Sequence, residues 1–164
     1  MQLKNLILIL FIFLAMFNGF ANAEESTEAE DNFKQGQAFY ENDEIDAAIK
    51  EFTNAISKSP NISRYHHWLA KSYGEQAEKS AWFKAMRLAE DSRESLKLAV
   101  ELDPENIAAL TDLMKYYQQA PRFLGGSDEK AKEIGLRLEA LKYKDSNSPE
   151  QLDVNSGTQN EQNP

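Results

Sequence analysis

From Gly36 to Pro60 the chain reads "GQAFYENDEIDAAIKEFTNAISKSP", two helical stretches around a polar break. Ile45, Ala48, Ile49, Phe52 and Ile56 recur at the three- and four-residue spacing that puts apolar side chains on one helical face. "ENDE" interrupts that pattern, and Asp43 stands where a helix N-cap is expected. The small residues Gly36, Ala48 and Ala55 let two helices approach closely, and Phe39 and Phe52 fill the space between them. Pro60 cannot continue the second helix, because its ring lacks the N–H and clashes with the preceding turn. The stretch therefore predicts a helical hairpin, with helices near Asn32–Glu41 and Glu44–Ser57.

The pattern extends outward on the C-terminal side. A third helix is expected from Arg64 to about Glu78, with Leu69, Ala70 and Tyr73. A fourth starts near Trp82 and carries Met86, Ala89, Leu96, Ala99 and Val100. "LDPEN" ends it, and Asp103 with Pro104 resembles the N-cap and first residue of a fifth helix. That helix holds Leu110, Leu113, Met114 and Tyr117. A sixth, Asp128–Lys144, holds Ala131, Ile134, Leu138 and Leu141. No alternating apolar run bounded by turn residues predicts a strand. The fold class is all-α, with paired antiparallel helices joined by short turns.

Counted back from Pro60, the residues Ala55, Phe52, Ala48, Phe39 and Gly36 fall where the tetratricopeptide repeat has Ala, Phe, Ala, Tyr and Gly, so this stretch resembles that repeat. Leu69, Ala70 and Tyr73 suit the first helix of a second repeat, and Leu96 and Ala99 its second. The two counts differ by ten residues, which makes "GEQAEKSAWFKAMRLAE" an insertion that lengthens both helices. A third repeat runs through Leu110–Tyr117 and Ala131–Leu138, again with a lengthened corner. The resemblance implies about three repeats, six helices, in a short right-handed solenoid with the sixth helix as cap.

The segment "SYGEQAEKSAWFKAMRLAEDSRESLKLAVELDPENIAALTDLMKYYQQAPRFLGG" is further similar to a family of exported bacterial tetratricopeptide-repeat proteins of unassigned activity. Its Tyr-Gly helix, inserted aromatic helix start, "A-x-x-L-D-P-x-N" and "A-P-x-F-x-G-G" recur there in this order. Pro121, Leu124, Gly125, Gly126, Glu129, Lys130, Ala131 and Lys132 also resemble the loop and helix of the T-component of TRAP-type transporters. Most of those components are lipid-anchored through a cysteine, and this chain of 164 residues has none.

The first 23 residues read as an export signal, with Lys4, an apolar run from Leu6 to Phe17, and the small-x-small site Ala21-Asn22-Ala23. The run is shorter than the roughly 20 residues that span a bilayer. Cleavage after Ala23 removes Lys4 and leaves 17 basic residues of the original 18 against 27 acidic ones, a net charge of −10. Such a surface argues against nucleic-acid or anionic-lipid binding through the global field. Without cysteine, neither a disulfide nor a thiolate metal site holds the fold. Export without disulfides points to the periplasm of a Gram-negative bacterium. Residues 24–31 are acidic and expected to be flexible. Residues 32–144 form the domain, and the polar stretch 145–164 is expected to be disordered.

Gly125-Gly126-Ser127 lacks the Gly-Lys-Ser/Thr ending of a phosphate loop, and Asp128 and Glu129 fill the helix start with negative charge. It reads as a left-handed corner with Ser127 as N-cap. His66 and His67 are adjacent and point about 100° apart on a helix, so they cannot grip one metal; one half-buried and one exposed ring are expected. Glu75 and Glu78 share a helix face, as carboxylates often do in an acidic protein. No catalytic residue, metal site or cofactor is read from the chain.

The tetratricopeptide resemblance implies binding through the inner faces of alternate helices. The matching positions are Arg64, His67, Lys71 and Gly74 in repeat two. They are Phe33, Gln37 and Tyr40 in repeat one, and Thr111, Lys115 and Gln118 in repeat three. This stripe is basic within an acidic chain, and it suits an acidic peptide or a C-terminal carboxylate. Its charges can instead be paired internally, with Glu41 or Glu75. Trp82, Phe83 and Met86 are expected to cap the inserted corner against Tyr73, or, facing outward, to form a second patch. The resulting expectation is a non-enzymatic periplasmic adaptor for a protein or peptide. The alternative is an accessory transporter component that handles a small anionic ligand.

Overall fold

The structure, a computed structural model, describes residues 26–146. The stretch expected to be an export signal and the chain beyond Ser146 lie outside the described residues. Helix α1 (Thr27–Glu41) starts five residues before the expected Asn32, so most of the stretch expected to be flexible is helical. The cause is local: the Ser26 hydroxyl accepts from the Ala29 N–H at 3.1 Å, and Glu28 and Glu30 sit in the first turn, where negative charge complements the helix dipole. Ala29 extends the stripe of Phe33 and Gly36 by one turn and is fully buried.

Helix α2 (Ile45–Lys58) folds back on α1. Asp43 does not cap it. The residue is left-handed, at φ 64°, and its carboxylate pairs with Lys79. Gly36 faces Phe52 so closely that a Cβ would lie 2.7 Å from the ring. Ala29, Phe33, Ala48, Phe52 and Ala55 form the first core with Tyr65 and Leu69 of the next helix. Phe33 lies 4.8 Å from Tyr65, centroid to centroid. This is the small-against-aromatic packing that the tetratricopeptide resemblance implies.

Helices α3 (Ser63–Glu78) and α4 (Trp82–Leu102) form the second hairpin. The inserted residues go mainly into α4, which has 21 residues against 16 in α3. Buried serines let the pair approach closely. Ser63 donates to the Ala99 carbonyl at 2.7 Å, and Ser92 to that of Ala70 at 2.8 Å. Each hydroxyl is therefore satisfied inside the interface, as burial requires.

Helix α5 (Ile107–Gln119) begins later than "LDPEN" suggested. Its cap is Asn106, whose side-chain oxygen accepts from the Ala109 N–H at 3.0 Å. Asp103 instead ends α4, and its carboxylate accepts from the Glu105 N–H at 3.0 Å in the intervening turn. A 3-10 turn (Arg122–Leu124) leads to α6 (Asp128–Ser146), which includes two residues of the tail expected to be disordered. Ala70, Leu96, Leu113, Tyr117 and Ala131 make the second core. The described residues are thus all-α: three helical hairpins stacked in chain order.

The Gly-Gly stretch is a corner. Gly125 has φ +89°, and its N–H donates to Arg122 O at 3.0 Å, that of Gly126 to Pro121 O at 3.1 Å and that of Ser127 to Tyr117 O at 2.8 Å. A bound phosphate would find these donors already used. The Ser127 hydroxyl accepts from the Lys130 N–H at 3.3 Å, which caps α6.

Candidate functional site

Residues of α1, α3, α4 and α5 line an open groove of about 290 Å³, among them Tyr40, Lys71, Glu75, Glu78, Asp112 and Lys115. A second recess of about 250 Å³ continues it toward Pro121 and Leu124, and Gly74, Glu78 and Tyr116 line both. Ala70 and Leu96 supply an apolar floor.

The structure divides the basic stripe. Arg64 lies outside the groove lining, donates to Glu30 at 2.7 Å and stacks 4.9 Å above the Phe33 ring. His67 Nε2 meets Asp112 Oδ2 at 2.8 Å, and Lys115 Nζ lies 3.3 Å from the other carboxylate oxygen. The His67 hydrogen bond holds the Asp112 carboxyl below its ordinary value, with Lys115 adding to that effect and partial burial opposing it. Both histidines are buried, which corrects the expectation of one exposed ring: His66 Nε2 lies 2.7 Å from the Pro60 carbonyl.

Lys71 is different. Its ammonium lies 4.1 Å from the Trp68 ring centroid and 5.1 Å from that of Tyr40. Among the described residues no carboxylate comes within ion-pair distance of it. An ammonium over two aromatic faces is held in place by their quadrupoles while its N–H donors stay open to the groove.

Other expected positions fall elsewhere. Phe33 is 3 % exposed and belongs to the core. Gln37 is half-buried and Thr111 bonds its own helix, donating to the Ile107 carbonyl. Gln118 is exposed and lines a separate recess with Met114, Ala131 and Leu136, between α5 and α6. Trp82 and Phe83 are 63 % and 79 % exposed and stack edge to face at 4.8 Å. They do not cap the corner against Tyr73, which packs on the first core. Met86 is half-buried.

Glu75 and Glu78 were expected only as a shared acidic face, with Glu75 as an alternative internal partner of the stripe, and the structure puts both in the groove lining. Glu75 and Glu78 follow Lys71 at four and seven positions, one helical stripe, and that spacing was a usable signal. Asp112 gave none, since its role depends on His67, 45 residues away. Burial pushes the Tyr40 hydroxyl above its ordinary value, and the Glu75, Asp112 and Glu78 carboxylates push it further. The groove thus has one unpaired ammonium beside a concentration of negative charge.

The sequence matches no protein-family model and no curated protein. Among solved structures the chain is similar to the Sgt2 TPR domain from Aspergillus fumigatus, at 19 % identity over 89 % of this chain and 93 % of that one, with a TM-score of 0.49.

Proposed function

We propose that this protein is a non-enzymatic adaptor, exported to the periplasm of a Gram-negative bacterium, that holds a peptide segment of a protein partner in its inner groove. The observation that carries the reading is Lys71: an ammonium without an ion pair, fixed over Trp68 and Tyr40 in a concave surface. A peptide carboxylate, from an acidic side chain or a C-terminus, is the ligand group that suits those open donors. A transporter component for a small anion would be better served by several free cations. Here Arg64 and Lys115 are already paired with Glu30 and Asp112, which favours the peptide reading. The export part rests on Lys4, the Leu6–Phe17 run and Ala21-Asn22-Ala23.

The test is capture of partners from an envelope fraction by wild type and by Lys71→Glu. A charge-assisted hydrogen bond contributes roughly 1.5–3 kcal/mol, so the variant should retain tenfold less partner or worse, with its helical signal and melting unchanged. Equal capture by both proteins would overturn the assignment to Lys71. Mass spectrometry should find the mature N-terminus at Glu24; an intact Met1 would refute export with cleavage.

A further inference from the structure

Lys71 and Glu78 lie on one face of α3, seven positions apart, and both line the groove. At 1.5 Å per residue their Cα atoms are about 10.5 Å apart along the axis. No ion pair joins the two side chains, and among the described residues neither has an ion-pair partner elsewhere. The groove therefore carries a positive end, held over Trp68 and Tyr40, and an exposed negative end at Glu78. Glu75 does not disturb this division, because Lys79 pairs with it at 3.2 Å. Asp112 is likewise engaged, by His67 and Lys115.

We propose that the groove selects an extended peptide bearing both charges three residues apart, its carboxylate on Lys71 and a lysine or arginine on Glu78. The inference rests on the peptide reading given above and names that peptide's chemistry. Three residues of polyproline-type chain advance about 9.3 Å and return the side chain to the same face, which matches the separation of the two groove charges. In a flat β-strand, positions three apart point to opposite faces, so the polyproline form fits better. An extended ligand also exposes its main chain. Tyr40 and Gln119, at either wall of the groove, carry polar side-chain groups for which the described residues provide no hydrogen-bond partner. A helical ligand would satisfy its own backbone and leave both unused.

The experiment uses the full chain and labelled ten-residue peptides on a proline-alanine background. Each carries one glutamate and one lysine at separations from one to seven, in both orders, and binding is read by fluorescence anisotropy. Separation three should bind tenfold tighter than the others or better. Lys71→Glu and Glu78→Lys should each abolish that preference, and the double exchange should restore it with the peptide's charge order reversed. Circular dichroism and thermal melting of each variant check the fold. Equal affinity at every separation would overturn the charge-spacing rule and leave the groove reading intact. Best binding at separation seven would show a helical ligand and overturn it as well. Failure of every peptide to bind would remove both.

Discussion

A methyl group added at Gly36 would lie 2.7 Å from the Phe52 ring, a large aromatic with no exposed surface. The ring has nowhere to retreat, so Gly36→Ala should lower stability by about 1–3 kcal/mol, the usual cost of overpacking, read as a shift in urea midpoint. The corner allows a graded comparison. A Cβ on Gly126 would fall 1.7 Å from the main-chain oxygen of Ala120, while one on Gly125 meets the movable Arg93 side chain but must adopt φ +89°. Gly125→Ala should cost roughly 1 kcal/mol or more, and Gly126→Ala should cost more than that. Equal midpoints for the two variants would contradict the geometry. Asp112 makes a pH prediction. Its carboxyl is held below the ordinary value in the folded state. The stability it contributes is therefore present above its unfolded value, about pH 4, and is lost as pH falls through the folded value. In chemical denaturation across pH 2–7, Asp112→Asn should be less stable than wild type at neutral pH, and the gap should close at the acid end.

Element boundaries separate what was readable from what was not. The hairpin of α1 and α2 could be read because its whole signal is local, small residues and aromatics at helical spacing within Gly36–Pro60. The start of α5 misled because Asp103-Pro104 has the chemistry of a helix start. The backbone uses it to stop α4, and Asn106 gains its advantage from a distant residue: its Nδ2 donates to Ser63 Oγ at 2.8 Å across 43 positions. Asn106→Ala should therefore cost about 1–2 kcal/mol through the lost cap, clearly more than Asp103→Ala. Denaturant titration of the two variants decides the matter, and the opposite ranking would return the cap to Asp103. The start of α1 was missed for a comparable reason. Acidic residues at 24–31 look like a solvated tail until Arg64 and Lys58, some 30 residues away, are seen to pair with Glu30 and Glu28.

The whole molecule closes its second core with α6, which covers Leu113 and Tyr117 through Ala131. Removing α6 takes Ala131 and Ile134 out of that core and exposes the apolar face beneath them. A chain ending at Ser127 should show increased binding of an apolar dye and broadened thermal unfolding. A truncated chain that melts as sharply as the intact one would show that α6 is dispensable. Charge was the least readable property at this level. The stripe Arg64, His67, Lys71 could be located from spacing, but its net sign could not. That sign depends on Glu30 and Asp112, which come from other helices. Pairing across 34 and 45 positions follows from the stacking of hairpins, not from any local pattern.

The two tryptophans of the chain occupy opposite surroundings: Trp68 lies half-buried beneath Lys71, and Trp82 stands in solvent at the start of α4. Nature has thus placed two indole chromophores with different optical readings in one molecule. Acrylamide should quench Trp82 emission readily and Trp68 emission weakly. Replacing Trp82 with phenylalanine should leave a blue-shifted spectrum that comes only from the indole beneath Lys71. In that variant a peptide that displaces the Lys71 ammonium from the indole face should change the emission directly, so occupancy could be followed by light without a label on either molecule.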